Sequence, residues 1–411
     1  MPGSSPLSRA IEVEVDRASW RLQPAAFRHP FPRALARQAG PFSVHLLLML
    51  QRLGELTTPV LSPQSGVARL WPLLRYLHAV ADTPGFRFRD KWRDTDPHQK
   101  AIASDDLGVG LGMAVLYKAF DYVACVDGRA FLHLLTQHGL VARQDGMPPK
   151  VGTMKMADYA AVDAAGKFHL IECKGTQHSS TALGTAMADG RAQKLSLVCS
   201  SRGAEQRLIG QRLVVGTQLT LENAVKPTRV LVQDPAPDRE APVVLAPRLP
   251  LAALVEPAIR LDIARALGAA GAERTAVAIA QSDRPFDAPA LEGPQQRQRA
   301  QAAFAEDEDG LETFFDHDDG WVGERVTVPL LEPLALDGTV YRYARLVKAV
   351  SKELLAEIRE AGAATTLFQQ QYPRTAGRLG GGRTIVDGSR AVILRPGISL
   401  SEIALLQRRS E

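Results

Sequence analysis

Between residues 154 and 174 the apolar pattern switches from helical to strand-like spacing, and it does so twice around one short polar turn. Met154 to Val162 and Lys167 to Cys173 are short apolar runs of strand length. Asp163-Ala164-Ala165-Gly166 joins them and has the residue types a hairpin turn requires. Side chains alternate along a strand, so Glu172 and Lys174 share a face about 7 Å apart while Cys173 takes the other. Pairing through the turn lays Asp158 beside Glu172, and two carboxylates and an ammonium then converge.

The segments around this hairpin read as one domain. Ser104-Asp105-Asp106 is predicted to start a helix that carries Leu107, Leu111, Val115 and Phe120 at near-helical spacing. A second helix is expected from Arg129 to His138, ending at Gly139. Thr181 to Leu197 reads as a third, interrupted by Gly184 and Gly190. Arg212 to Leu219 and Thr228 to Val232 are further strand candidates. The expected fold class is α/β, a central mixed sheet flanked by helices, over residues 101–235.

Residues 1–100 read as a helical N-terminal region, with Val44–Leu50 and Leu70–Leu74 as its buried stretches. Pro235, Pro237, Pro242, Pro247 and Pro250 mark a boundary, and 236–411 is expected to be a linker plus a small α+β region. Within it Ala252–Leu267 looks helical, and Ser282–Asp319, rich in Gln, Ala and acids, looks like a surface connection. Arg325–Pro329 suggests a strand. Ala344–Glu360 suggests an amphipathic helix carrying Leu346, Val347, Val350, Leu354, Leu355 and Ile358 on one face.

Composition narrows the class without identifying the chemistry. An apolar fraction of 45% and a charged fraction of 23% are those of a globular chain, which excludes global disorder. The sequence has no apolar run of membrane-spanning length and no signal-like segment after Met1, so a cytoplasmic protein with no membrane association is expected. Cys125, Cys173 and Cys199 are odd in number and widely spaced, the pattern of buried thiols rather than of a disulfide framework or a zinc ribbon. Net charge is +4 with pI near 9.0, and Arg/Lys-rich stretches at 1–100 and 341–411 flank an acidic one at 301–320. A polyanionic partner is permitted by this balance, though not demanded.

Hydrolysis of a phosphodiester needs the groups the hairpin brings together. A hard divalent cation prefers oxygen ligands, which Asp158 and Glu172 supply together with the Cys173 carbonyl. Such a cation acidifies water and draws charge from phosphoryl oxygens, while Lys174 orients the water and offsets charge in the transition state. An acid on one strand, a turn, and Ile171-Glu172-Cys173-Lys174-Gly175 closing an apolar strand resemble the PD-(D/E)XK, or restriction-endonuclease-like, nuclease superfamily over about Ser104 to Val232. Ala157 stands where the name-giving proline would be.

The resemblance implies a restriction-endonuclease-like core and a nuclease dependent on Mg²⁺ or Mn²⁺. Asp158, Glu172 and the Cys173 carbonyl would be on the metal, and Lys174 at the reacting phosphate. It further implies an acid on the preceding helix, for which Asp106 is chosen over Asp105, and a Gln on the following helix, Gln193, turned toward the phosphate backbone. The implied partner is nucleic acid, DNA before RNA; a restriction or phage-defence role, a protein partner in a defence complex and a homodimer follow by analogy only. A competing expectation is a catalytically idle nuclease fold that binds DNA or scaffolds a partner. Asp316–Gly320 lacks the order of a calcium loop, Gly380–Gly382 lacks the ending of a P-loop, and His133 and His138 are not on one helical stripe.

Overall fold

The computed structural model describes residues 6–22, 28–58, 69–137, 141–143, 157–194, 197–199, 208–234, 243–245, 251–280, 294–308, 310–314, 320–361, 383–395 and 398–409. The chain divides into two compact units. One comprises residues 9–44 and 80–258, the other residues 1–8, 45–79 and 259–411. Neither follows the linear boundaries expected at 100 and 235, because the N-terminal hundred residues are shared between them.

The first unit is mixed α/β. Its seven-stranded sheet contains β1 (Ser8–Val15), β2 (Gly40–His45), β3 (Ala124–Asp127), β5 (Tyr159–Val162), β6 (Phe168–Thr176), β8 (Ile209–Gln218) and β9 (Arg229–Gln233), in the order β2-β1-β9-β8-β6-β5-β3. β1 runs parallel to β9 and β6 parallel to β8, whereas β8–β9, β5–β6 and β3–β5 are antiparallel. A separate small sheet joins β4 (Val141–Arg143), β10 (Val243–Leu245) and β7 (Leu197–Cys199). Short helices α1 (Arg17–Arg21) and α2 (Arg33–Ala36) lie between β1 and β2. Strands were not foreseen in the N-terminal region. β1 lies inside the sheet and alternates buried Arg9, Ile11 and Val13 with less buried neighbours, so its period-2 pattern is the signal that a helical reading overlooks.

Three longer helices belong to this unit: α5 (Pro97–Phe120), α6 (Gly128–Gln137) and α7 (Ser180–Lys194). α5 begins a full two turns before Ser104. Asp96 caps it, its Oδ1 accepting from the backbone N–H groups of His98 (2.8 Å) and Gln99 (3.3 Å), with Pro97 at the first helical position. Ser104 is instead mid-helix, donating back to the Lys100 carbonyl at 2.8 Å. The helix stops at Asp121, which adopts the left-handed conformation with φ 49°. Gly139, the expected stop of α6, lies outside the described residues, as do Asp316–Asp319 and Gly380–Gly382.

α5 and α7 cover opposite faces of the sheet, which follows from what a Cβ on their glycines would meet. A Cβ on Gly112 of α5 would come within 2.8 Å of Val215, and one on Gly175 of β6 would come within 1.7 Å of the Ser104 carbonyl oxygen. On the other face Leu183 and Met187 of α7 pack on Val214, with Leu231 beside them. Adjacent strand residues Val214 and Val215 thus point to different helices. Both are fully buried.

The hairpin forms, its first strand limited to Tyr159–Val162; Met154–Met156 of the expected run lie outside the described residues. Tyr159 pairs with Ile171 and Val162 with Phe168. In the turn Asp163 Oδ1 accepts from the N–H groups of Ala165 and Lys167, both at 2.9 Å, and Gly166 supplies φ 77°. The other Asp163 oxygen accepts from His169 Nε2 at 3.2 Å, which leaves His169 Nδ1 to accept from the Tyr122 hydroxyl at 3.0 Å. The Tyr122 and His169 rings are buried, and burial pushes the imidazole pKa down.

The second unit is built on a six-stranded antiparallel sheet of β11 (Glu312–Phe314), β12 (Trp321–Leu336), β13 (Thr339–Ser351), β14 (Arg383–Asp387), β15 (Arg390–Arg395) and β16 (Ser399–Leu406), ordered β11-β12-β13-β16-β15-β14. Helices α3 (Leu46–Thr57), α4 (Trp71–Tyr76), α8 (Leu251–Ala269, most of it here), α9 (Glu273–Ala280), α10 (Pro294–Glu308) and α11 (Lys352–Ala361) accompany it. No helix among the described residues is long and apolar enough to cross a membrane.

Two expectations fail in this unit. Residues 344–351 are strand rather than helix: β13 is interior to the sheet, so Leu346, Val347, Lys348, Ala349 and Val350 are buried on both faces and the run loses its two-residue period. The helix starts only after Ser351, whose Oγ accepts from Leu354 N–H at 3.1 Å. The expected connection at 282–319 contains the four-turn α10, which buries Phe304. Beneath α3, Lys348 pairs with Glu55 and Ser401, and Gln51 also bonds Ser401, so this buried ammonium is compensated.

Candidate active site

The register that pairs Tyr159 with Ile171 places Asp158, one residue before β5, opposite Glu172. The two residues are tied reciprocally: Asp158 N–H donates to Glu172 Oε2 at 3.2 Å, and Cys173 N–H donates to Asp158 Oδ2 at 2.8 Å. Two positions further along β6, Lys174 returns to the Glu172 face, with its Nζ 2.5 Å from Glu172 Oε1. The Glu172 side chain is 0% exposed and that of Lys174 is 23% exposed, so the carboxylate forms the floor and the ammonium reaches the rim. Glu172 Oε1 is buried and held by the Lys174 ammonium.

Electrostatics follow from this crowding. Burial, and then the neighbouring Asp158 charge, push Glu172 up to about 8. Asp158 is raised too, first by burial, with Asp105 adding to the effect and Cys173 N–H and Lys174 opposing it. Burial works against the charge on Lys174, but Glu172, Asp158 and Asp105 outweigh it and its pKa rises. Lys174 is therefore an ammonium at neutral pH. The helix acid coupled to this group is Asp105, on exposed surface of α5 and itself raised by burial against its protein neighbours. Asp106, the acid chosen from the sequence, is the next residue of α5 and is partly buried.

Helix α7 passes directly above the acids. A Cβ on Gly190 would lie 3.1 Å from Glu172 Cγ, 3.3 Å from Lys174 Cε and 3.3 Å from Val214 Cγ1. The glycine that weakens the helical pattern is thus what lets α7 close over the site. On the opposite face Gly108 of α5 would bring a Cβ within 3.0 Å of Gly175, and Gln177 Nε2 bonds the Lys100 carbonyl (3.0 Å) and Ser104 Oγ (3.1 Å). The end of β6 is anchored to α5 directly after Lys174. Gln193 falls in the last turn of α7, with its side chain outside the described part of the structure.

Cys173 points away from the acids, into the face covered by α5, where burial raises its thiol pKa far above the usual range. Its side chain has no part in the group. Cys125 and Cys173 are both free and buried, as the sequence suggested; the Cys199 side chain is outside the described residues.

Two close carboxylates with oxygen donors only, both acids holding protons above their ordinary range, together fit a hard cation, whose charge would reverse both displacements. Among the described residues no three Asp, Glu, His or Cys side chains gather at one point. No protein-family model, curated protein or solved structure matches the chain.

Proposed function

We propose that this chain hydrolyses phosphodiester bonds of nucleic acid, DNA before RNA, at a divalent-cation site held by Asp158 and Glu172 on a restriction-endonuclease-like core. The observation that carries the reading is the convergence of Asp158, Glu172 and Lys174 at the hydrogen-bonded end of the β5–β6 hairpin. Support for the core comes from a mixed sheet whose β6 bears the Glu-x-Lys sequence between α5 and α7.

A cation bound by the two carboxylates would supply Lewis acidity to the phosphoryl oxygens. Asp158 and Glu172 are preorganised for it, since each is hydrogen-bonded to the backbone of the other's segment and neither needs to search for a rotamer. Lys174, charged and partly exposed, donates hydrogen bonds toward the attacking water and the non-bridging oxygens, where negative charge grows. Water adds to phosphorus as the ester P–O bond breaks, and the departing oxygen takes up a proton.

The test is cleavage of labelled double-stranded DNA, single-stranded DNA and RNA with Mg²⁺ or Mn²⁺ by wild type and by folded Glu172→Ala and Lys174→Ala proteins. Loss in both variants is expected. Survival of cleavage in both removes the assignment, and an inactive wild type that binds DNA equally with and without metal points to the idle, DNA-binding reading.

A further inference from the structure

Among the described residues the second unit ends at an open strand edge: β14 is the terminal strand of the six-stranded sheet and pairs with β15 on one side only. All five of its residues, Arg383-Thr384-Ile385-Val386-Asp387, are exposed, including Ile385 at 51% and Val386 at 44%. Consecutive side chains point to opposite faces, so apolar surface is open on both sides of the strand. Sheet edges are ordinarily protected by Pro, Lys, a bulge or a covering element. β14 contains no Pro or Lys, and its ladder with β15 is regular from Arg383 to Asp387.

The hairpin defines which backbone groups face outward. Gly388-Ser389 is a two-residue turn, with Gly388 at φ 45°, flanked by the Asp387–Arg390 pair. In such a hairpin the flanking pair is mutually hydrogen-bonded. Counting back in steps of two, Asp387, Ile385 and Arg383 direct their N–H and C=O groups toward β15. Thr384 and Val386 direct theirs away from the sheet.

The strand is complementary to itself. Antiparallel pairing of two copies about Ile385 sets Thr384 against Val386 of the second copy, and Val386 against its Thr384, which joins every outward N–H and C=O in four hydrogen bonds. Ile385 then meets Ile385 in a non-hydrogen-bonded pair, where side chains approach most closely. Arg383 meets Asp387 at both ends, so charges of opposite sign face each other twice. A shift of one residue in either direction breaks both the charge match and the hydrogen-bond phase.

We propose that two copies of this chain associate through β14, joining their C-terminal sheets edge to edge about a two-fold axis. The inference does not depend on the nuclease reading. Five residues a side make a small interface, so the dimer is weak and concentration-dependent rather than obligate.

Sedimentation velocity of the full-length protein across a concentration series tests it. Wild type is expected to shift from monomer to dimer as concentration rises. Ile385→Lys should abolish the shift. Arg383→Asp and Asp387→Arg, each placing like charges opposite one another, should each weaken self-association at least tenfold, yet an equimolar mixture of the two should associate as wild type does, because every facing pair is again of opposite sign. All substituted positions are exposed, and unchanged circular dichroism verifies folding. A wild type that stays monomeric throughout, a dimer insensitive to Ile385→Lys, or a mixture no better than its components overturns the proposal.

Discussion

Asp158 and Glu172 hold each other in place through the backbone: the amide of Asp158 donates to the Glu172 carboxylate, and the amide after Glu172 donates to the Asp158 carboxylate. Each acid therefore keeps one oxygen on a backbone amide, and the second oxygen of Glu172 meets the Lys174 ammonium. The geometry exists without a cation, and the cost of maintaining it appears as the raised proton affinity of both acids.

That cost makes stability depend on pH. Folded Glu172 keeps its proton up to about pH 8, whereas an unfolded glutamate releases it near 4.5. Between these values the folded chain binds more protons, so stability falls as pH rises. Glu172→Gln removes the titration and is expected to gain about 1–3 kcal/mol over wild type at alkaline pH, with little difference near pH 5. Thermal melts of both proteins, without divalent cation, across that range measure it; parallel curves would contradict it.

Divalent cation should stabilise the wild type. Mg²⁺ or Mn²⁺ at a hundredfold excess over its dissociation constant contributes about 2.7 kcal/mol, seen as a rise in Tm of several degrees. Asp158→Asn and Glu172→Ala should each erase the rise. Uptake should release protons, because Glu172, raised to about 8, must ionise, and calorimetry in buffers of different ionisation enthalpy reads that release.

Three glycine-to-alanine changes separate helix clearance from helix propensity. Gly184→Ala meets nothing within 4 Å and should stabilise by roughly 1 kcal/mol. Gly190→Ala makes the same propensity gain but presses on Glu172 and Lys174, so Tm should hardly change while cleavage falls at least tenfold. Gly175→Ala meets the Ser104 carbonyl at 1.7 Å and should destabilise by about 3 kcal/mol or more, since backbone must move. Equal activity of the Gly184 and Gly190 variants would show that α7 does not constrain the site.

Acid should weaken the hairpin from its turn. His169 and Asp163 both titrate below their ordinary values in the folded chain, His169 because of burial, Asp163 because bonds from His169 and the turn amides outweigh its burial. Folded protein binds fewer protons than unfolded, so this stabilisation is complete above about pH 6.5 and is lost stepwise as each folded pKa is passed on acidification. His169→Gln should flatten the upper part of that decline, and urea melts between about pH 4 and 7 would detect it.

The site was legible where neighbours in sequence are neighbours in space. Asp158, Glu172 and Lys174 belong to one hairpin, whose alternation and turn chemistry determine their relation without reference to the rest of the chain. Asp105 was not legible in the same way, since its coupling to Asp158 and Lys174 arises from the packing of α5 against β6, a relation between distant parts of the chain. β13 was mistaken for helix because burial on both faces erases period-2 alternation, leaving an apolar run whose spacing also satisfies a helix. In β1 the period-2 alternation of residues 8–15 was there to be read, but nothing local announces a partner more than two hundred residues away.

That distant partnership bears on how the protein is made. β1 emerges from the ribosome before the rest of its sheet and can lean on β2 almost at once, but its other edge belongs to β9 at residues 229–233. Until the nascent chain has passed that point, the first strand waits with half its backbone unmatched, and the layer carrying the acids lacks its far side. Synthesis that stalls anywhere before β9 therefore leaves a sticky, unfinished sheet for chaperones to shield.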